Sequence, residues 1–105
     1  MNIISREHVG NYRFDRISYS SPEQYHIFDK NDQWVAYIRV RWGNLNLYKV
    51  NADRICWDDG SIFSAPVDDR GWAGEIPEKL RMSLFLKIVE ELESEAELCD
   101  YEELV

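Results

Sequence analysis

The stretch Gln33–Val50, QWVAYIRVRWGNLNLYKV, constrains the fold more than any other part of the chain. Apolar residues recur at every second position, interrupted by Gly43-Asn44, which is read as the two-residue turn of a β-hairpin. Side chains alternate across a strand, so Trp34, Ala36, Ile38, Val40 and Trp42 share one face. With this turn Trp42 opposes Leu45 and Val40 opposes Leu47, extending the apolar surface. Val35, Tyr37, Arg39, Arg41, Asn46 and Tyr48 lie on the other face, which is aromatic and basic. One face demands a covering layer and the other tolerates water.

The flanking segments extend this hairpin into a sheet. Gln24–Asp29 reads as a strand, joined to the hairpin by a turn at Asn31-Asp32. Ile27 then opposes Ala36 and Tyr25 opposes Ile38, while a one-residue slip would bring His26 and Phe28 to the core instead. Asn11–Tyr19 has strand composition with poor alternation and reads as an edge strand. Met1–Gly10 carries no pattern. Arg54–Ala65 reads as a second hairpin with Asp59-Gly60 at its turn. Residues 66–76 hold a proline, two glycines and Trp72, and read as a long surface loop.

Pro77 suits the first position of a helix, where its missing N–H costs nothing. Beyond it Leu80, Leu84, Ile88 and Leu92 form an i,i+4 row, widened by Phe85, Val89, Ala96 and Cys99. That stripe matches the apolar sheet face. Met82 and Leu86 fall outside it. The expected fold is one α+β domain over residues 1–105. A twisted antiparallel sheet of five or six strands, built from hairpins and a meander, packs one face on a C-terminal helix.

Charge is segregated along the chain. The net charge is −8, with eight Lys/Arg against six Asp/Glu in residues 1–57 and four against fourteen in residues 58–105. Glu90–Val105 holds eight acids and no base. Acids at a helix C-terminus oppose the macrodipole, so the helix is expected to fray between Ser94 and Asp100. An acidic chain repels nucleic acid and anionic membranes on average. No apolar run reaches the ~20 residues needed to span a bilayer, and the first residues carry charges unlike a signal sequence. With Cys56 and Cys99 read as free thiols, the expected location is a reducing cytoplasm.

The chemical motifs are sparse. His8, His26, Cys56 and Cys99 lack the close ligand pairs of zinc sites, so no metal site is expected. Asp58-Asp59 and Asp68-Asp69 fit turns better than calcium loops. The nucleophile elbow and the glycine-rich phosphate loops are missing from the sequence, and neither a cofactor nor an enzymatic activity is expected.

Two surfaces remain. The acidic end, with Glu93, Glu97, Asp100 and Glu103, suits docking of a basic protein partner, with Trp72 as an anchor. This makes a small, acidic, non-catalytic protein-binding or inhibitory module, of the nucleic-acid-mimic or immunity-inhibitor kind, the leading expectation. The alternative is single-stranded nucleic-acid binding through Tyr37, Arg39, Arg41 and Tyr48, joined by His26.

Overall fold

The computed structural model describes residues 3–19 and 21–103, with side chains to residue 95. Its strands are β1 (Ser5–Val9), β2 (Tyr12–Arg16), β3 (Gln24–Phe28), β4 (Trp34–Arg41), β5 (Asn44–Asn51), β6 (Arg54–Ile55) and β7 (Phe63–Pro66). A 3₁₀ turn, Trp57–Asp59, precedes β7, and the helix α1 spans Glu78–Glu103. Strands β1 to β6 form an antiparallel meander in chain order, and β7 pairs with β5 beside β6. The architecture is α+β, with α1 against one face of the sheet.

The central register is the expected one: Ile27 opposes Ala36 and Tyr25 opposes Ile38. The core sits between sheet and helix. Phe14, Ile27, Ile38, Val40, Leu45 and Leu47 are fully buried, and they meet Leu84, Phe85, Ile88 and Leu92 from α1. Phe85 stacks on Phe14 with ring centroids 4.3 Å apart and meets Tyr25 edge-on at 5.1 Å. Met82 and Leu86 are exposed, as their positions off the apolar stripe dictate.

Two of the tryptophans assigned to the core face are elsewhere. The β4–β5 turn is Trp42-Gly43, not Gly43-Asn44, and Val40 opposes Leu45. Both turn residues have positive φ, 54° and 75°, which matches the twist of a tight hairpin. Trp42 is therefore a turn residue, 68% exposed. A register shift of two leaves Ile38, Val40, Leu45 and Leu47 on the core face. Trp34 leaves it because of a β-bulge: Ile27 pairs with Ala36 but the next residue, Phe28, pairs with Trp34. Val35 is the extra residue, and it packs against the core while Trp34 turns to the far face.

Three other segments differ from expectation. Residues 5–9 form the edge strand β1, so β2 is an interior strand. The hairpin expected over Arg54–Ala65 does not form. A tight turn at Ala52-Asp53 folds β6 back on β5, and the 3₁₀ turn then carries the chain to β7, also on β5. The loop of residues 67–76 is partly internal, since Val67 and Ile76 are buried in the core. It clamps the β4–β5 turn: Gly43 N–H donates to the Ala73 carbonyl, and Val67 N–H donates to that of Gly43, both at 2.8 Å. A Cβ on Gly43 would lie 2.4 Å from Asp68 Oδ1 and 2.5 Å from Gly71 Cα, so this approach requires glycine.

The same loop is tied to the sheet and helix by Glu23, which is fully buried. Its carboxylate accepts from the Ile76 amide at 2.9 Å, from the Tyr25 hydroxyl, and from Arg81 Nε and Nη2 at 3.3 Å each. Arg16 Nη2 stands 3.8 Å away. Its backbone joins the same node: Glu23 N–H donates to Gly74 and its carbonyl accepts from Val40. Burial alone would push the Glu23 carboxyl up, but the donors from Arg81, Tyr25 and Ile76 outweigh it and hold the carboxyl below its usual range. Tyr25 is pushed far up by burial and by the carboxylate beside it.

A depressed carboxyl stabilises the fold above its unfolded value, about 4.3 for glutamate. That contribution is lost as pH falls through the lower folded value. Glu23→Gln is expected to cost about 3 kcal/mol at neutral pH, because Arg81 loses its buried counter-charge. Denaturant unfolding from pH 7 to pH 3 should show the variant losing less stability in acid than the wild type.

Candidate binding face

Among the described residues, no helix or second sheet covers the face of the meander opposite α1. Register decides what it presents. Arg13 and Asp15 come from β2, and Gln24, His26 and Phe28 from β3. Strand β4 adds Trp34, Tyr37, Arg39 and Arg41, and β5 adds Asn46 and Tyr48. The 3₁₀ turn lays Trp57 across the β4–β5 side of this face.

The rings form one continuous run. His26 stacks on Trp34 at 4.4 Å and meets Tyr37 at 5.9 Å. Tyr37 and Tyr48 lie 6.3 Å apart, and Trp57 contacts them edge-on at 5.7 and 4.8 Å. Cations line the run: Arg39 lies 5.1 Å from the Trp57 ring, Arg13 4.4 Å from Phe28, and Arg41 5.8 Å from Trp42. Tyr37 is only 5% exposed, packed among His26, Tyr48 and Trp57, and its hydroxyl donates to Gln24 Oε1. Burial pushes the Tyr37 hydroxyl up, with Arg39 opposing, and pushes His26 down toward the neutral form, with Asp15 opposing.

The structure thus brings Tyr37, Arg39, Tyr48 and His26 together, as the sequence alternation implied. Arg41 extends the row to the exposed turn. Trp34 and Trp57 are the members that alternation missed, one hidden by a bulge and the other by a 3₁₀ turn. Asp15 was missed as well. It is 1% exposed, and its Oδ1 accepts from Arg13 Nε at 3.1 Å and pairs with Arg6 Nε at 3.3 Å. An aspartate inside a strand is disfavoured and was the available signal.

The residues of the acidic site are dispersed. Trp72 is 79% exposed on the loop that clamps the β4–β5 turn. Glu93 is exposed at the other end of the sheet, where its charge reinforces the upward shift that burial gives Tyr12. Strand β4 alone separates these ends by roughly 20 Å. The side chains of Glu97, Asp100 and Glu103 lie outside the described residues, while the backbone of α1 stays helical through the Ser94–Asp100 span where fraying was expected. Trp72 instead lies on the loop whose Ala73 carbonyl accepts from the N–H of Gly43, the chain neighbour of the exposed turn residue Trp42.

No group of three His, Cys, Asp or Glu side chains converges to hold a metal among the described residues, and no described helix is long and apolar enough to cross a membrane. No protein-family model, curated protein or solved structure matches the chain. The functional reading therefore rests on the geometry of the two faces.

If Trp57 covers Tyr37, Trp57→Ala should lower the Tyr37 pKa toward the ordinary value of about 10. An NMR titration following the labelled tyrosine ring carbon checks this. An unchanged Tyr37 would mean that the strands alone bury it.

Proposed function

We propose that the protein is a non-catalytic binding module that engages a protein partner through the open face of its sheet. One observation carries the reading: an aromatic run from Trp34 to Trp57, lined by arginines, on a sheet face that no second layer covers among the described residues. Trp, Tyr and Arg dominate the energetics of protein interfaces, whereas Lys, Glu and Asp are depleted there. Across β2 to β5 this face has that composition. Its acid, Asp15, is neutralised by Arg6 and Arg13. The rings are packed against one another before any partner arrives, so little side-chain freedom is lost on association.

The acidic segment has a smaller part in this reading. Trp72 and Glu93 are too far apart to form one compact patch, so the carboxylates act at long range. They steer the partner's orientation and keep the module soluble, and both effects are screened by salt.

A second reading, single-stranded nucleic acid on the same face, is favoured by Arg39 over Trp57 and by the exposed Arg41. It is weakened by the near-complete burial of Tyr37, which leaves that ring unavailable for stacking, and by the net charge of −8.

Affinity capture from the source cells, with and without nuclease, separates these readings when run on three proteins. The wild type and Glu93→Gln are expected to retain a nuclease-resistant protein partner. The double variant Arg39→Ala/Trp57→Ala should lose it by at least ~30-fold in affinity, about 2 kcal/mol, as expected of a hot-spot pair. Loss with Glu93→Gln alone would return the docking site to the acidic helix. Capture that disappears with nuclease would establish the nucleic-acid reading.

A further inference from the structure

A cavity of about 220 Å³ opens on the β2–β3 side of the same face, lined by Ile3, Asp15, Ile17, His26 and Phe28. Four of these five walls are apolar or aromatic. The fifth, Asp15, is 1% exposed, and its Oδ2 is the buried side-chain polar atom left without a hydrogen-bond partner among the described residues. A buried acceptor in this state is costly, and native structures leave few of them.

The surroundings of Asp15 specify what would satisfy it. Its charge is already balanced, since Arg13 Nε and Arg6 Nε both address Oδ1, at 3.1 and 3.3 Å. A third cation, at Oδ2, would be repelled by these two guanidinium groups. The unmet need is for a neutral N–H donor. The walls of Ile17, Phe28 and His26 ask for an apolar, flat body around that donor. Size narrows the class further. A dry protein cavity of about 150 Å³ holds benzene, so the larger volume here suits a bicyclic ring. Indole meets all three conditions: it is bicyclic, apolar and neutral, and its nitrogen only donates.

We propose that this cavity is an anchor pocket for the indole of a tryptophan on the protein partner, its N–H donating to Asp15 Oδ2 and its ring lying among Ile17, His26 and Phe28. The inference rests on the reading of the open face as a protein-binding surface, and it names the side chain that surface selects. Ile3, on the same wall, is 42% exposed. Asp15 Oδ2 is closed to solvent in the free protein, so the proposal requires a wall side chain to move aside as the ring enters. The His26 ring is braced from behind by Trp34, 4.4 Å away, which connects the pocket to the aromatic run.

Free indole tests the pocket without the partner, so its outcome is separate from that of the capture experiment. The 105-residue chain, labelled for NMR, is titrated with indole, with 1-methylindole, which has the same shape but no N–H, and with guanosine. Indole is expected to shift the Ile17, His26 and Phe28 signals saturably. 1-Methylindole should bind at least about tenfold more weakly, the scale of a hydrogen bond to a charged group. Asp15→Asn should remove the preference. If that variant does not fold, the two indoles on the wild type still decide. Equal affinity for the two indoles, shifts elsewhere on the molecule, or no shift up to the solubility limit would overturn the proposal. Tighter binding of guanosine than of indole would also overturn it, and would assign the pocket to a nucleobase.

Discussion

A single buried carboxylate holds the layers of this molecule together. Glu23 has no solvent to lean on, so its charge must be met by the protein. Arg81 reaches it from the helix, the Ile76 amide from the long loop, and Tyr25 from its own strand. Arg81 also donates to the Ile76 carbonyl and pairs with Glu78 in the first turn of the helix. Desolvation of such a cluster is expensive, and replacing the whole of it with apolar groups need not weaken a fold. Its effect is geometric. A charge without its partners is intolerable, so the loop, the helix start and the β3–β4 pair settle together in one arrangement. That arrangement gives the core face its cover and leaves the opposite face open.

Much of the core was legible because period-two alternation survives small errors of register. Placing the β4–β5 turn one residue late altered the pairing by two, which keeps Ile38, Val40, Leu45 and Leu47 inward and displaces only Trp42, into the turn. The error arose because a tryptophan at positive φ is an outlier for so bulky a side chain, whereas Gly-Asn is an ordinary turn pair. A bulge is different, because it inverts the alternation from that residue onward. Nothing local to Trp34 marks it, so the residue was assigned to the wrong face. Glu23 was illegible for another reason. Its partners Arg81 and Ile76 lie 58 and 53 residues away in sequence, and no pattern connects them. The Tyr37, Arg39 and Tyr48 part of the open face could be read from alternation. Trp57 could not, because a 3₁₀ turn brings it there.

The two faces now have distinct physical characters. The helix side closes the core, and the acids crowd toward the end of α1. The open side presents interlocked rings and arginines, with one neutralised aspartate beside a cavity. At the β4–β5 end two exposed tryptophans, Trp42 and Trp72, sit on a turn and a loop fixed to each other through Gly43 and Ala73. Strain concentrated at a solvent-facing tryptophan is the kind of local cost that folds retain at working surfaces. The aromatic run and the Asp15 cavity adjoin on one surface, since His26 belongs to both.

Hydroxyl-radical footprinting of the protein, free and in complex with its captured partner, tests the claim that the open face is the working surface. Protection should centre on Trp57, Trp34 and Phe28, while Met82 and Leu86 on the helix react as they do in the free protein. Protection of Met82 and Leu86 with Trp57 left fully reactive would place the interface on the helix and contradict the account.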